Sequence, residues 1–87
     1  MEVPLEIMKN YIQRRRQDLH ACHTYFEQQK FSEIEKIAHK LKGSGKSFGH
    51  PEISEIGKRL EWAAKKTDIQ SIKKILDQFF EWVTKWC

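Results

Sequence analysis

An apolar stripe near the C-terminus constrains the fold more than any other feature of the sequence. Its members recur at steps of three and four residues: Ile69, Ile72, Leu76, Phe79, Val83 and Trp86. Because an α-helix turns once in about 3.6 residues, this spacing places them all on one helical face. Such a stripe suits a coiled-coil dimer or the core of a bundle. It is short for a coiled coil, and other amphipathic segments precede it, so we expect a bundle.

Three earlier segments repeat the same apolar spacing. They run along Leu5, Met8, Ile12, Leu19, Cys22 and Phe26, along Ile34, Ile37, Leu41 and Phe48, and along Ile53, Ile56, Leu60 and Ala64. Few glycines or prolines interrupt these runs, and no alternating strand pattern occurs. The predicted helices span Pro4 to about Gln29, residues 32 to about 48, Pro51 to about Lys66, and Thr67 onward.

Local signals mark the ends of these helices. Ser32 with Glu35, and Thr67 with Gln70, each match a capping box, in which two side chains bond free backbone N–H groups of the first turn. Gly49 can adopt the left-handed conformation just past a helix end. The sequence therefore predicts short reversals between neighbouring helices.

The size and composition of the chain fit one small domain over residues 1–87. Of these residues 39% are hydrophobic, which is enough for one packed core. We predict an all-α fold, an antiparallel up-down four-helix bundle.

Charge and cysteine content limit the function only loosely. The net charge of +4 is compatible with a nucleic acid, an acidic membrane surface or an acidic protein partner. The basic run Arg14 to Arg16 fits a solvated helix face, with long stems over apolar surface, better than a nucleic-acid contact. Cys22 and Cys87 lie far apart and indicate free thiols. With neither a signal peptide nor an apolar run long enough to span a membrane, we expect a cytoplasmic protein, free of membrane and monomeric.

Two short motifs resemble sites that the sequence does not support. Gly45-Lys46-Ser47 looks like the end of a phosphate-binding loop, but Lys40 stands where that pattern needs glycine. His20, Cys22 and His23 could ligate a metal, yet Cys22 belongs to an apolar stripe and no second ligand pair follows at zinc spacing. We therefore expect no metal site and no nucleotide site.

His39 is the residue whose surroundings favour chemistry. At helical spacing it points away from the apolar stripe of its helix, with Lys42 and Lys46 one and two turns along. An exposed neutral imidazole is a nucleophile, and two ammonium groups suit the oxygens of a phosphoryl group. Gly43, one turn from His39, leaves a gap through which a bulky partner can approach, whereas Gly45 suits tight packing against the third helix.

This stretch resembles the signature of the histidine-containing phosphotransfer (HPt) domain family. The matching run is Ala38-His39-x-Leu41-Lys42-Gly43-Ser44-Gly45-x-x-Phe48-Gly49. The resemblance implies a four-helix bundle that relays phosphoryl groups in bacterial two-component phosphorelays, with His39 as the phosphoacceptor. It places the nearby lysine of the family at Lys42 and the glycine that admits the partner at Gly43.

The resemblance also implies a polar residue on the third helix that bonds the other ring nitrogen, and by position this is Glu61. A carboxylate accepting from Nδ1–H would leave Nε2 free to attack. Many relay members have glutamine there, and glutamate is more typical of the chemotaxis kinases. Lys58 shares its helix face with Glu61, and we expect it on the docking surface with Gly43 and Lys46.

The expected function is that of a phosphocarrier without its own ATP site, and so not an enzyme. Its partners would be receiver domains of response regulators, a hybrid sensor histidine kinase, or both, and not nucleic acid. No cofactor is expected on this domain, since Mg²⁺ would sit in the acidic pocket of the receiver. The alternative is a basic helical interaction module that binds protein or nucleic acid without phosphotransfer, with Trp62 and Trp82 as possible anchors for a partner helix.

Overall fold

The computed structural model describes residues 3–86, which leaves Met1, Glu2 and the predicted free thiol of Cys87 outside the described part. Within it the chain forms four α-helices and no strand, so the predicted all-α class is confirmed. The helices are α1 (Leu5–Glu27), α2 (Phe31–Ser44), α3 (Pro51–Lys65) and α4 (Ile69–Trp86), with a short 3₁₀ helix at Lys46–Phe48.

The helices pack as a bundle in which chain neighbours are also spatial neighbours. α2 packs most extensively on α3, α3 on α4, and α1 contacts both α2 and α4, which closes the ring. The bundle measures 37 × 19 × 17 Å along its principal axes. The antiparallel up-down course of all four helices stays a prediction.

The predicted apolar stripes form most of the core. Their buried members are Ile12, Leu19, Cys22, Ile34, Ile37, Leu41, Ile53, Ile56, Leu60, Ala64, Ile72, Leu76, Phe79 and Val83. Leu5, Ile69 and Trp86 are exposed, because they lie at helix ends, where fewer neighbours cover them. The two tryptophans off the stripes differ, since Trp82 is buried whereas Trp62 is exposed.

The predicted capping box at Ser32 and Glu35 is wrong. α2 begins one residue earlier, at Phe31, and its N-terminus has no side-chain cap. Instead the carbonyl oxygen of Lys30 accepts the first backbone hydrogen bonds of the helix. Phe31 packs edge-on against Phe26, with ring centroids 6.4 Å apart. Apolar packing at Phe31 therefore fixes the start of α2 and puts Ser32 inside its first turn.

The predicted capping box at Thr67 and Gln70 is also wrong. Thr67 adopts a left-handed conformation with φ of 48°, so it ends the turn after α3 and does not cap α4. The cap is Asp68, whose carboxylate accepts hydrogen bonds from the Ser71 backbone N–H at 3.2 Å and the Ser71 hydroxyl at 2.8 Å. The cap thus lies one residue later than predicted.

The link between α2 and α3 follows the sequence more closely. α2 ends at Ser44, and a single 3₁₀ turn continues to Phe48, where a regular helix was predicted. Gly49 has φ of 80°, which confirms the predicted left-handed stop, and Pro51 opens α3 as predicted. This tight link brings the start of α3 back beside the end of α2.

The basic run on α1 is partly used inside the bundle. Arg15 is largely buried and pairs with Asp18 at 2.9 Å. Its guanidinium lies 4.5 Å from the ring centroid of Tyr11, whose hydroxyl is 3.0 Å from that of Ser44. Arg15 also reaches the Ser44 hydroxyl, so it joins α1 to the end of α2. This contact accounts for a polar side chain between Ile12 and Leu19 in the apolar series of α1. Among residues 3–86 no helix is long and apolar enough to cross a membrane.

Candidate functional site

His39 lies on the solvent side of α2. The helix buries Ile34, Ile37 and Leu41 against the rest of the bundle, and the phase of these residues leaves position 39 outward. The His39 side chain is 70% exposed. The predicted exposure of this ring is therefore confirmed, and a partner molecule can reach it.

Glu61 on α3 holds both His39 and Lys42. One carboxylate oxygen, Oε2, lies 2.8 Å from His39 Nδ1, and the other, Oε1, accepts a hydrogen bond from Lys42 Nζ at 3.1 Å. The Glu61 side chain is only 14% exposed, whereas that of Lys42 is 46% exposed. The structure thus brings together three of the residues that the sequence singled out.

These contacts keep Glu61 ionised. Burial alone would raise the pKa of the Glu61 carboxyl, but the hydrogen bonds from Lys42 and His39 and their charges outweigh it, and the pKa falls below its ordinary value. At neutral pH the carboxylate is therefore an acceptor only.

An acceptor at Nδ1 determines which nitrogen of His39 is free. Because the Glu61 carboxylate can only accept, the neutral ring donates from Nδ1–H and keeps its lone pair on Nε2. Within residues 3–86 the hydrogen bond of this ring is made at Nδ1, and Nε2 has no protein partner. The arrangement presents one unprotonated nitrogen on an exposed ring, which is what a nucleophile requires.

The two glycines after His39 differ in their surroundings. A Cβ on Gly43 would meet no atom within 4 Å, so the surface one turn from His39 is open. A Cβ on Gly45 would lie 2.7 Å from the carbonyl oxygen of His50 and 2.6 Å from the Ser54 hydroxyl. Tight packing of Gly45 against α3 is therefore confirmed, whereas the docking role of Gly43 stays a prediction.

Comparison with protein families agrees with this geometry. A family model for the Hpt domain matches residues 6–83, nearly the whole chain. The chain belongs to the Hpt domain family. Comparisons with curated proteins and with solved structures find no match. Membership implies phosphotransfer in histidine–aspartate phosphorelays, in which Hpt domains act as carriers and not as catalysts.

Two further predicted docking residues, Lys46 and Lys58, make no hydrogen bond to the His39 ring within the described residues. Lys46 is exposed in the 3₁₀ turn, and its backbone N–H donates to the Ser54 hydroxyl at 2.8 Å. Lys58 is exposed on α3 and lines a groove between α3 and α4 that also includes Lys42 and Glu61. Their roles in docking stay predictions.

Gly57 is a residue near this site to which sequence reasoning gave no role. It lies in the interior of α3, buried against α2, and a Cβ there would collide with the backbone of Ala38 and Lys42. A signal was present in the sequence, since glycine inside a helix costs about 1 kcal/mol relative to alanine and so calls for a reason.

The residues considered for metal binding do not form a site. Within residues 3–86 no group of three or more His, Cys, Asp or Glu side chains could hold a metal ion. Cys22 is fully buried, and burial, with a smaller effect of Asp18, raises the pKa of its thiol to about 12. It therefore stays protonated, and the thiol is a poor ligand for a metal.

Proposed function

We propose that this Hpt domain carries phosphoryl groups between receiver domains of response regulators, with His39 Nε2 as the phosphoacceptor. The observation that carries the proposal is the 2.8 Å contact between Glu61 and Nδ1 of an exposed imidazole. It fixes the ring and leaves Nε2 as the nucleophile. A hybrid sensor histidine kinase is the other partner that could supply the phosphoryl group through its receiver.

The transfer step follows from these positions. The Nε2 lone pair forms a bond to phosphorus while the bond from phosphorus to the receiver's aspartate oxygen breaks, and its electrons return to that carboxylate. The ring then carries positive charge, which the Glu61 carboxylate at Nδ1–H stabilises. The reverse step on a second receiver passes the group on. Phosphoryl transfer of this kind depends mainly on positioning and charge stabilisation.

Cations around His39 supply part of that stabilisation. Lys42, held beside the ring by Glu61, would contact the phosphoryl oxygens. The open surface at Gly43, together with the exposed Lys46 and Lys58, would face the acidic pocket of the receiver and speed encounter. The Mg²⁺ that the reaction uses would belong to that pocket, whose carboxylates suit it.

The proposal also includes the up-down course of the helices and a bacterial, cytoplasmic setting. Ser54, early in α3, bonds the backbone just after α2, at Lys46. Glu61, later in α3, bonds His39 in the interior of α2. This order of contacts supports an antiparallel α2–α3 pair, which is what the short link between them favours.

The experiment is transfer from a radiolabelled phospho-receiver to the wild-type protein and to His39→Gln. We expect acid-labile, base-stable label on the wild type and none on the variant, because glutamine offers no nucleophilic nitrogen. His23→Gln, which replaces an exposed histidine on α1, is the matched control and should be labelled normally. Label on His39→Gln, or no label on folded wild type with several receivers, would refute the proposal and favour an interaction module.

A further inference from the structure

α2 and α3 lie in close backbone contact at Gly57. A Cβ on this residue would lie 2.7 Å from the carbonyl oxygen of Ala38 and 2.8 Å from Cβ of Leu41, and closer still to the backbone nitrogen of Lys42. Two of these three atoms belong to the backbone of α2, which cannot rotate away as a side-chain tip can. Any residue other than glycine therefore has to push the two helices apart.

The contact at Gly57 lies one helical turn from Glu61, the residue that bonds His39. Glu61 follows Gly57 by four residues, so the two share a face of α3. The backbone that Gly57 touches belongs to Ala38, directly before His39, and to Lys42, the second partner of Glu61. The spacing of the two helices at Gly57 therefore also sets the gap that the Glu61 side chain bridges one turn further along α3.

The span leaves little tolerance. Non-bonded heavy atoms pack best at about 3.5 Å, so a methyl group at Gly57 would displace α3 by about 1 Å. Hydrogen bonds weaken beyond about 3.2 Å, and the Glu61–His39 contact is 2.8 Å. Glu61 bonds His39 through one oxygen and Lys42 through the other, and both partners lie on α2, so a shift of α3 stretches both bonds together.

We propose that Gly57 is a positioning residue, which sets the α2–α3 spacing at which Glu61 holds the His39 ring with Nδ1–H donating and Nε2 unprotonated. Its effect on phosphoryl transfer rests on the function proposed above. Its effect on the ring does not, because the tautomer exists in the unphosphorylated protein.

The test is the tautomer of His39, read from its ring ¹⁵N shifts by NMR at a pH where the titration curve shows the ring to be neutral. We expect the Nδ1–H tautomer in the wild type and a shift toward Nε2–H in Gly57→Ala. With a phospho-receiver, Gly57→Ala should accept the group up to about tenfold more slowly, which is the loss expected when the Glu61–His39 bond is removed altogether. An unchanged tautomer in folded Gly57→Ala overturns the proposal.

Gly45→Ala is the matched control, since it introduces the same methyl group between α2 and α3 against backbone atoms, but away from Glu61. It should lower stability and keep the wild-type tautomer. The same tautomer shift in Gly45→Ala would show general loosening of the helix pair and overturn a specific role for Gly57.

A second variant covers the case in which Gly57→Ala does not fold. Glu61→Asp keeps the charge, shortens the side chain by one methylene and introduces no clash, so it lengthens the same gap from the other side. We expect the tautomer shift here as well, and a wild-type tautomer would overturn the proposal. A wild type with the expected tautomer but no phosphoryl transfer would refute the proposed function alone.

Discussion

The molecule places two histidines in opposite surroundings. His39 is 70% exposed and lies against carboxylate and ammonium groups. His50, just before α3, is 3% exposed, and its ring packs edge-on against Trp82 and Trp86, with centroids 5.0 and 4.7 Å away. The same side chain thus serves a reactive surface at one position and the packing of a link onto α4 at the other.

The contacts of the ring nitrogens differ just as clearly. Nε2 of His50 lies 3.1 Å from the sulfur of Met8, and Nδ1 lies 3.9 Å from a carboxylate oxygen of Glu52, beyond hydrogen-bond distance. Nδ1 of His39 is 2.8 Å from Glu61. The difference teaches that a histidine becomes a candidate nucleophile only where solvent access and a close orienting acceptor occur together.

The largest effect on stability should come from the buried histidine. His50→Ala removes a ring packed by aromatic neighbours and leaves a cavity, so we expect a loss of about 3 kcal/mol in the free energy of unfolding. Labelling by a phospho-receiver, per folded molecule, should stay at the wild-type level. Urea unfolding followed by circular dichroism measures the first quantity.

His20→Ala provides the control, because His20 is exposed on α1 and its loss should change stability by less than about 0.5 kcal/mol. A folded His50→Ala protein that no longer accepts the phosphoryl group would contradict the assignment of packing to His50 and phosphoryl transfer to His39.

A smaller effect, mainly on the rate of phosphoryl transfer, is expected at Glu61, which accepts the hydrogen bond from His39 Nδ1–H. Glu61→Ala should slow phosphoryl acceptance about tenfold, or roughly 1.4 kcal/mol in the barrier, because the ring loses its fixed tautomer. Glu61→Gln should lose less, since its amide oxygen still accepts from Nδ1–H. Stability should change by no more than about 1 kcal/mol, because the pairs lie at the surface.

Glu55→Ala is the matched control for this series, as it removes the same charge from an exposed position on α3. Stopped-flow or quench kinetics with a phospho-receiver would give the rates. Equal slowing in Glu55→Ala and Glu61→Ala would mean that net charge, and not the bond to Nδ1, controls the reaction.

Most of the surroundings of the exposed histidine, His39, could be predicted from the sequence. Helical spacing alone placed His39 opposite the apolar stripe with Lys42 beside it, because both relations are local to one helix. The position of Glu61 came from the resemblance to the HPt family. Its contact with His39 depends on how closely α3 packs, and the residue that permits that packing, Gly57, had no assigned role.

The surroundings of the buried histidine, His50, could not be predicted from the sequence, for a physical reason. Met8, Trp82 and Trp86 are distant from His50 along the chain, and no periodicity relates them to it. Their cluster exists only once the helices are assembled. Sequence patterns report the period of one element well, but they carry little information on which residues of separate elements meet.

Helix starts show a second limit of pattern reading. Both predicted capping boxes match the motif, yet both helices start elsewhere. Gln29 and Thr67 have positive φ values of 58° and 48°, a conformation that ends the preceding helix. The next residue, Lys30 or Asp68, then takes the position before the new helix. A left-handed turn at a residue other than glycine is rare, so the motif gave no warning of it.

The smallest effect is expected at Asp68, which provides a second comparison with Glu61. The Ser71 side-chain and backbone hydrogen bonds lower the pKa of Asp68, as Lys42 and His39 lower that of Glu61. Asp68 only caps α4, however, and it should have no influence on phosphoryl transfer. Asp68→Ala should lower the melting temperature by a few degrees at neutral pH, and Asp68→Asn much less, since asparagine also caps.

The pH dependence of this difference has a definite sign. The pKa of Asp68 is lower in the folded than in the unfolded chain, so its stabilisation is complete above the unfolded value of about 3.9 and is lost as the pH falls through the folded value. The melting temperatures of wild type and Asp68→Ala should therefore converge in acid. Thr67→Ala tests the rejected capping box directly, because the Thr67 hydroxyl bonds only the adjacent Lys66 carbonyl within the described chain. A larger loss for Thr67→Ala than for Asp68→Ala would restore that box and move the start of α4 back by one residue.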